Sequence, residues 1–114
     1  MDQDCIFCKI AGGEIDSEVV YRDDRCFVIR DIAPRAPVHL LIIPSSHFTY
    51  LTNVTQDFVP VLGSMLVTAQ EMAQREGLTE DGYRLVINQG PHSGQQVPHL
   101  HMHLLGGNPL GDMV

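Results

Sequence analysis

The chain has 114 residues, 44% of them apolar, which suits one modest core in a single domain spanning residues 1–114 and excludes disorder and fibrous repeats. Seven Lys and Arg against 14 Asp and Glu leave a net charge of −7, which excludes the basic surface that long nucleic acid requires. A mononucleotide stays open, because one phosphate can be held by backbone N–H groups and imidazoles.

The start, Met1-Asp2-Gln3-Asp4, is acidic and lacks the basic region of a signal peptide, so the expected location is the cytoplasm. Cys5, Cys8 and Cys26 are an odd count, which in a reducing compartment favours thiols or a metal site over disulfides. Ile6-Phe7-x-x-Ile10 predicts a short helix stopped by Gly12-Gly13. Val19 to Arg22 and Cys26 to Ile29 read as strands of a hairpin about Asp23-Asp24. Pro34 and Pro37 bracket a turn, and Val38 to Ile43 is the next strand, ended by Pro44. That run is the longest apolar one and is too short to cross a membrane.

A long helix is predicted from an N-cap at Asp57, with Pro60 in its first turn and Gly77 as its stop. Its buried stripe is Phe58, Leu62, Met65, Leu66, Ala69, Met72 and Ala73. Tyr83 to Asn88 is a strand, residues 90–97 form a loop, and His99 to Leu105 is the last strand, closed by Gly106-Gly107. The class is α+β: a five-stranded antiparallel sheet with one long helix on one face and a short N-terminal helix.

His99, His101 and His103 occur at period two. In a strand they share a face, roughly 6.5–7 Å apart, while Leu100, Met102 and Leu104 point into the core. Such a face admits a polar strand with incidental histidines, a metal site, or imidazole catalysis on phosphate. His39, taken alone, reads as a core histidine as readily as a functional one. Cys5-x-x-Cys8 has metal-ligand spacing but needs two further ligands.

His99-Leu-His-Met-His-Leu-Leu105 resembles the signature of the histidine triad superfamily of nucleotide hydrolases and transferases. Within it the chain is similar to the histidine triad nucleotide-binding branch. The resemblance runs through Ile6-Phe7-x-Lys9-Ile10, Asp23-Asp24-x-Cys26, Asp31-Ile32-x-Pro34, Ala36-Pro37-x-His39, Ile43-Pro44, His47, Tyr83-Arg84, Asn88 and Leu105-Gly106-Gly107. It implies a phosphoramidase acting on purine nucleoside 5′-phosphoramidates, with no organic cofactor. His101 would be the nucleophile, its tautomer fixed by the backbone carbonyl of His99. His103 would hold a phosphate oxygen and help protonate the leaving amine, and His39 would join the proton relay.

The resemblance also assigns Asp31 to the ribose hydroxyls and Asn88 to the phosphate or ribose end. Gly94, Gln95 and Gln96 would approach the phosphate, with Gln96 standing where the branch commonly has Ser or Thr. Ile6, Phe7, Ile10, Ile15, Ile29, Ile32 and Leu41 match an apolar base slot, although they also suit a plain core. His47 and His99 would complete a structural zinc site with Cys5 and Cys8. A homodimer joined through the long helix and the strand near Tyr83 to Asn88 is implied, and membrane association is not. The tail after the double glycine, Asn108 to Val114, is short, and His92 has no assigned role. Competing readings are a dinucleoside polyphosphate hydrolase and a nucleotide-binding scaffold with incidental catalysis.

Overall fold

A computed structural model describes residues 5–113; the acidic start at 1–4 and the final Val114 lie outside the described residues. In chain order the elements are α1 (Ile6–Ala11), β1 (Val19–Arg22), β2 (Cys26–Arg30), β3 (Val38–Pro44), α2 (Val59–Arg75), β4 (Tyr83–Val86) and β5 (Met102–Gly106). Short 3₁₀ turns occupy Leu51–Asn53, Gln56–Phe58 and Pro91–Ser93. The five strands form one antiparallel sheet in the order β1-β2-β3-β5-β4. The α+β architecture is therefore the one read from the chain.

Strand alternation gives the sheet two apolar faces. On one, Cys26, Val28, Leu40, Ile42, Met102 and Leu104 pack against Met65, Ala69, Met72 and Ala73 of α2. On the other, Phe27, Ile29, Leu41 and Ile43 pack against Cys5, Phe7, Cys8 and Ile10 at α1. Each large side chain so buried contributes about 1.5–3 kcal/mol, which fixes the parity of every strand. The β1–β2 turn is held as its sequence predicts: Asp23 Oδ1 accepts from the N–H groups of Arg25 (2.8 Å) and Cys26 (2.9 Å).

Several boundaries differ from the sequence reading. Asp57 is not the N-cap: it lies inside the 3₁₀ turn, and α2 starts at Val59 with Phe58 as its cap residue. Phe58 thus leaves the helical stripe and stacks edge-on against Phe48, with ring centroids 4.9 Å apart. Leu66 is 53% exposed, because it points away from the sheet with Val59 and Val67. The strand expected over Tyr83 to Asn88 stops at Val86, opposite His103.

The last strand starts at Met102, not His99, and ends at Gly106. Its partner β3 ends in Pro44, and the last register pair between them is Ile42 with Met102. Proline has no N–H to extend a ladder. The Pro44 carbonyl accepts instead from the His99 ring (2.9 Å), and the Leu100 N–H turns to the Phe48 carbonyl. His99, Leu100 and His101 therefore run just ahead of the strand, and all three are buried.

Candidate functional site

A cavity of about 650 Å³ opens on the sheet face that carries α1. His103 from β5, His39 and Leu41 from β3 and Val86 from β4 form its floor, and His101 stands beside them. Ile6, Phe7, Ile10 and Ile15 form one wall, continued by Ile29 and by Ile32, which is 97% exposed at the mouth. Asp31, Asn88, Gly94 and Gln96 also line it, as the sequence predicts. Gln95 does not. Its amide spans the adjoining loop instead: Oε1 accepts from the Gly90 N–H (2.8 Å), and Nε2 donates to the Thr49 (3.1 Å) and Val97 (3.3 Å) carbonyls.

Donor and acceptor accounting sets the tautomers. His101 Nδ1 lies 2.7 Å from the His99 carbonyl oxygen, so it carries the hydrogen and donates it. The lone pair is left on Nε2. Phe7 packs edge-on against this ring, with centroids 5.1 Å apart, and holds it in place. His39 has the opposite arrangement. Its Nδ1 accepts from the Arg35 N–H (3.1 Å), so Nε2 carries the hydrogen and donates to His103 Nδ1 at 2.8 Å. His103 must then bear its hydrogen on Nε2. Two neighbouring rings, with centroids 5.1 Å apart, thus present a lone pair and an N–H respectively.

Charge follows burial. Desolvation pushes His103 down to about 4, helped by His101 and His39 and opposed by Asp31. Burial likewise lowers His39, against the opposing Asp31 carboxylate, whose Oδ2 lies 3.5 Å from His39 Nε2. Both rings are therefore neutral near pH 7. Unfolded His103 binds a proton near 6.5 while the folded ring refuses it, so its contribution to stability is fully present above 6.5 and is lost as the pH falls towards 4. Urea unfolding of wild type and His103→Asn across that window is expected to show the wild type losing stability faster, at about 1.4 kcal/mol per unit of difference. Parallel pH curves for the two proteins would contradict it.

A second cluster lies behind the first. Cys5, Cys8, His47 and His99 bring one ligand atom each to within 4.8 Å of one another. Cys5 Sγ lies 3.2 Å from His99 Nδ1, while Cys8 Sγ lies 3.3 Å from His47 Nδ1 and 3.6 Å from His99 Nδ1. Metal–sulfur and metal–nitrogen bonds of tetrahedral zinc give sulfur–nitrogen separations of about 3.5 Å, so the cluster fits such an ion with little movement. Because His99 Nε2 donates to the Pro44 carbonyl, its Nδ1 lone pair faces the thiols. Burial lowers His99 to about 4, with the Pro44 carbonyl opposing, which keeps the ring neutral as a ligand must be.

Asp31, His39 and His103 also gather three potential ligand atoms. They fit a metal poorly. A metal on His39 Nε2 would put the ring hydrogen on Nδ1, facing the Arg35 N–H. The same accounting thus separates a ligand cage from a proton relay.

Sequence reasoning missed the groups that set these tautomers. The Arg35 N–H and the Pro44 carbonyl are backbone groups and carry no side-chain signature of that role. Val86 and Leu105 on the floor follow from alternation once the pairing of β4 with β5 is known. His92 is exposed in the 3₁₀ turn over Pro91–Ser93 and does not line the cavity.

Known proteins share this family and fold. The family described as HIT domain matches residues 12–110. A purine nucleoside phosphoramidase of Escherichia coli strain K12 is 47% identical over 114 residues, covering 100% of this chain and 96% of its own. A 14 kDa zinc-binding protein of Zea mays is 47% identical over 111 residues, covering 96% of this chain and 86% of its own. The solved structure of a histidine triad protein from Clostridium difficile superposes with a TM-score of 0.94 at 38% identity, covering 100% of this chain and 99% of that one.

Proposed function

Because this chain belongs to the HIT domain family, we propose that it is a purine nucleotide hydrolase that cleaves the P–N bond of nucleoside 5′-phosphoramidates through a nucleotidyl-histidine. The observation that carries this reading is the opposed polarity of His101 and His103 at one end of an apolar slot. A free imidazole lone pair is a nucleophile at neutral pH. A neutral ring N–H beside it is a fixed donor for a phosphoryl oxygen, where charge builds as the reaction proceeds.

In the first step His101 Nε2 forms a bond to phosphorus and the P–N bond breaks. Its electron pair goes to the amine, which takes a proton from solvent, while the neutral His103 Nε2–H donates a hydrogen bond to a phosphoryl oxygen. The His99 carbonyl holds the Nδ1–H of His101 and so faces the positive charge that appears on that ring. In the second step water attacks phosphorus, the bond to His101 breaks with its electron pair returning to Nε2, and the proton of the water passes to solvent. The nucleoside monophosphate leaves. His39 keeps the His103 Nδ1 occupied and its Nε2 aimed at the phosphorus.

The substrate would lie with its base between Ile6, Phe7, Ile10, Ile29 and Leu41, its ribose hydroxyls on Asp31, and its phosphate against Asn88, Gly94 and Gln96. One carboxylate oxygen of Asp31 accepts from the Ala33 N–H (2.8 Å), which aims the other inward. An apolar slot of this kind distinguishes purines only weakly. A structural zinc on Cys5, Cys8, His47 and His99 completes the reading, supported by the ligand geometry and by the zinc-binding relative. Bound there, zinc would supply a fixed anchor joining Cys5 and Cys8 at α1 to His47 and His99.

A homodimer would bury the exposed apolar strip Val59, Leu66 and Val67 on α2 and cover the edge strand β4. No helix among the described residues is long and apolar enough to cross a membrane; an odd cysteine count with a metal-ligand pair suits a reducing cytoplasm. The deciding experiment offers an adenosine phosphoramidate and a diadenosine polyphosphate in parallel. The first is expected to be hydrolysed to AMP and free amine, well ahead of the second. Turnover of neither would leave a nucleotide-binding scaffold.

A further inference from the structure

Thr49 lines no part of the cavity, yet it touches both the metal-ready cluster and the loop beside the phosphate. Its hydroxyl donates to the Pro98 carbonyl at 3.2 Å. A threonine hydroxyl has one hydrogen. Towards His47 Nε2, at 3.5 Å, it can therefore only accept. That contact puts the His47 hydrogen on Nε2 and turns the Nδ1 lone pair towards Cys8 Sγ, 3.3 Å away. Thr49 does for His47 what the Pro44 carbonyl does for His99.

The same residue grips the loop. The Thr49 carbonyl accepts from Gln95 Nε2 at 3.1 Å. Gln95 in turn holds Gly90 through its other amide atom (2.8 Å) and Val97 through the same nitrogen (3.3 Å). Pro98, held by the hydroxyl, directly precedes His99. The loop that carries Gly94 and Gln96 is thus fastened at its middle and at its end to one residue, and that residue orients a metal ligand.

We propose that Thr49 is a positioning residue that couples metal occupancy of the Cys5, Cys8, His47 and His99 cluster to the order of the 90–98 loop, and through it to nucleotide affinity. The nucleotide half of this coupling rests on the function proposed above. A metal on His47 Nδ1 draws charge from the ring and strengthens its Nε2–H as a donor to Thr49. Outer partners that orient metal-bound histidines affect metal affinity by 10–100-fold when they are removed. Linkage then requires that metal and nucleotide strengthen each other by one shared factor.

The test compares zinc-loaded wild type, Thr49→Val and Thr49→Ser, with far-UV circular dichroism confirming that each is folded. Zinc affinity is read by chelator competition, loop order by amide exchange over residues 90–97, and the nucleotide site by AMP titration. Thr49→Val is expected to weaken zinc by roughly 10–100-fold. It should also speed loop exchange and weaken AMP, each by several-fold. Thr49→Ser, which keeps the hydroxyl, should restore all three. A Thr49→Val protein in which zinc affinity changes and the loop does not, or the reverse, overturns the coupling. So does failure of the wild type to bind zinc. If AMP binds none of the three while zinc and exchange still move together, the coupling stands and the nucleotide reading falls.

Discussion

Replacing His101 with alanine is expected to lower hydrolysis of an adenosine phosphoramidate by about 10⁴-fold or more, the scale on which loss of a covalent nucleophile is felt. AMP affinity should change far less, because the slot walls and Asp31 remain. Single-turnover reaction with phosphorus-labelled substrate should leave label on the wild-type protein and none on His101→Ala. Removal of the ring also removes the edge contact with Phe7, so the melting temperature must be measured beside the rate. A variant that keeps turnover within tenfold of wild type would place the nucleophile elsewhere. His103→Ala separates the roles: loss of the N–H donor should slow the reaction while still allowing label to be trapped on His101.

The second large effect concerns the cluster behind the cavity. Chelation of the metal, or Cys8→Ser, is expected to cost several kcal/mol of stability and to lower the melting temperature by roughly 10 °C or more. The reason lies in α1. It has six residues, too few to persist alone in water. Its position comes from Phe7, Cys8 and Ile10, which are buried, and from the cluster beside them. Loosening α1 frees Ile6 and Phe7, so AMP affinity should fall with stability. Metal analysis should find about one zinc per chain in the wild type. Protein that carries no metal and melts unchanged after chelation would refute the zinc reading.

Much of this was legible in the sequence, and the parts that were not share a cause. Period-two alternation at His99, His101 and His103 placed the imidazoles on the face opposite Met102 and Leu104; His101 and His103 line the cavity there, and His99 meets Cys5, Cys8 and His47. Helical spacing found Met65, Ala69, Met72 and Ala73, all buried on the sheet. The spacing of Cys5 and Cys8, with His47 and His99 taken from the family resemblance, gave a set of four that the fold brings together.

Alternation could not show where β5 begins, because that depends on what β3 does at Pro44. Nor could it show that Leu66 is exposed: the stripe on α2 is wider than the face the sheet covers, and the surplus is left for another surface. Boundary residues failed in the same way. Asp57 is a sound cap by type, but the chain enters α2 through a 3₁₀ turn that uses other partners. Backbone groups were invisible for a plainer reason. Every residue but proline has an N–H, and nothing in the letter Arg at position 35 says that its amide will fix the tautomer of His39.

One feature of β5 bears on how such a chain can change length. Residues 101–104 alternate between the cavity and the core under α2, so the same few positions serve chemistry and packing by turns. A single residue inserted there would exchange imidazoles for aliphatic side chains on both faces at once. Even a two-residue insertion, which restores parity, would part His103 from Leu41 and His39 on the neighbouring strand. Length variation is therefore confined to places where no register is counted, such as the tail beyond Gly107 or the bend after Gly77. A library built to retune this enzyme can vary length there provided Leu78 stays in the core, whereas in the strand it can substitute but never insert.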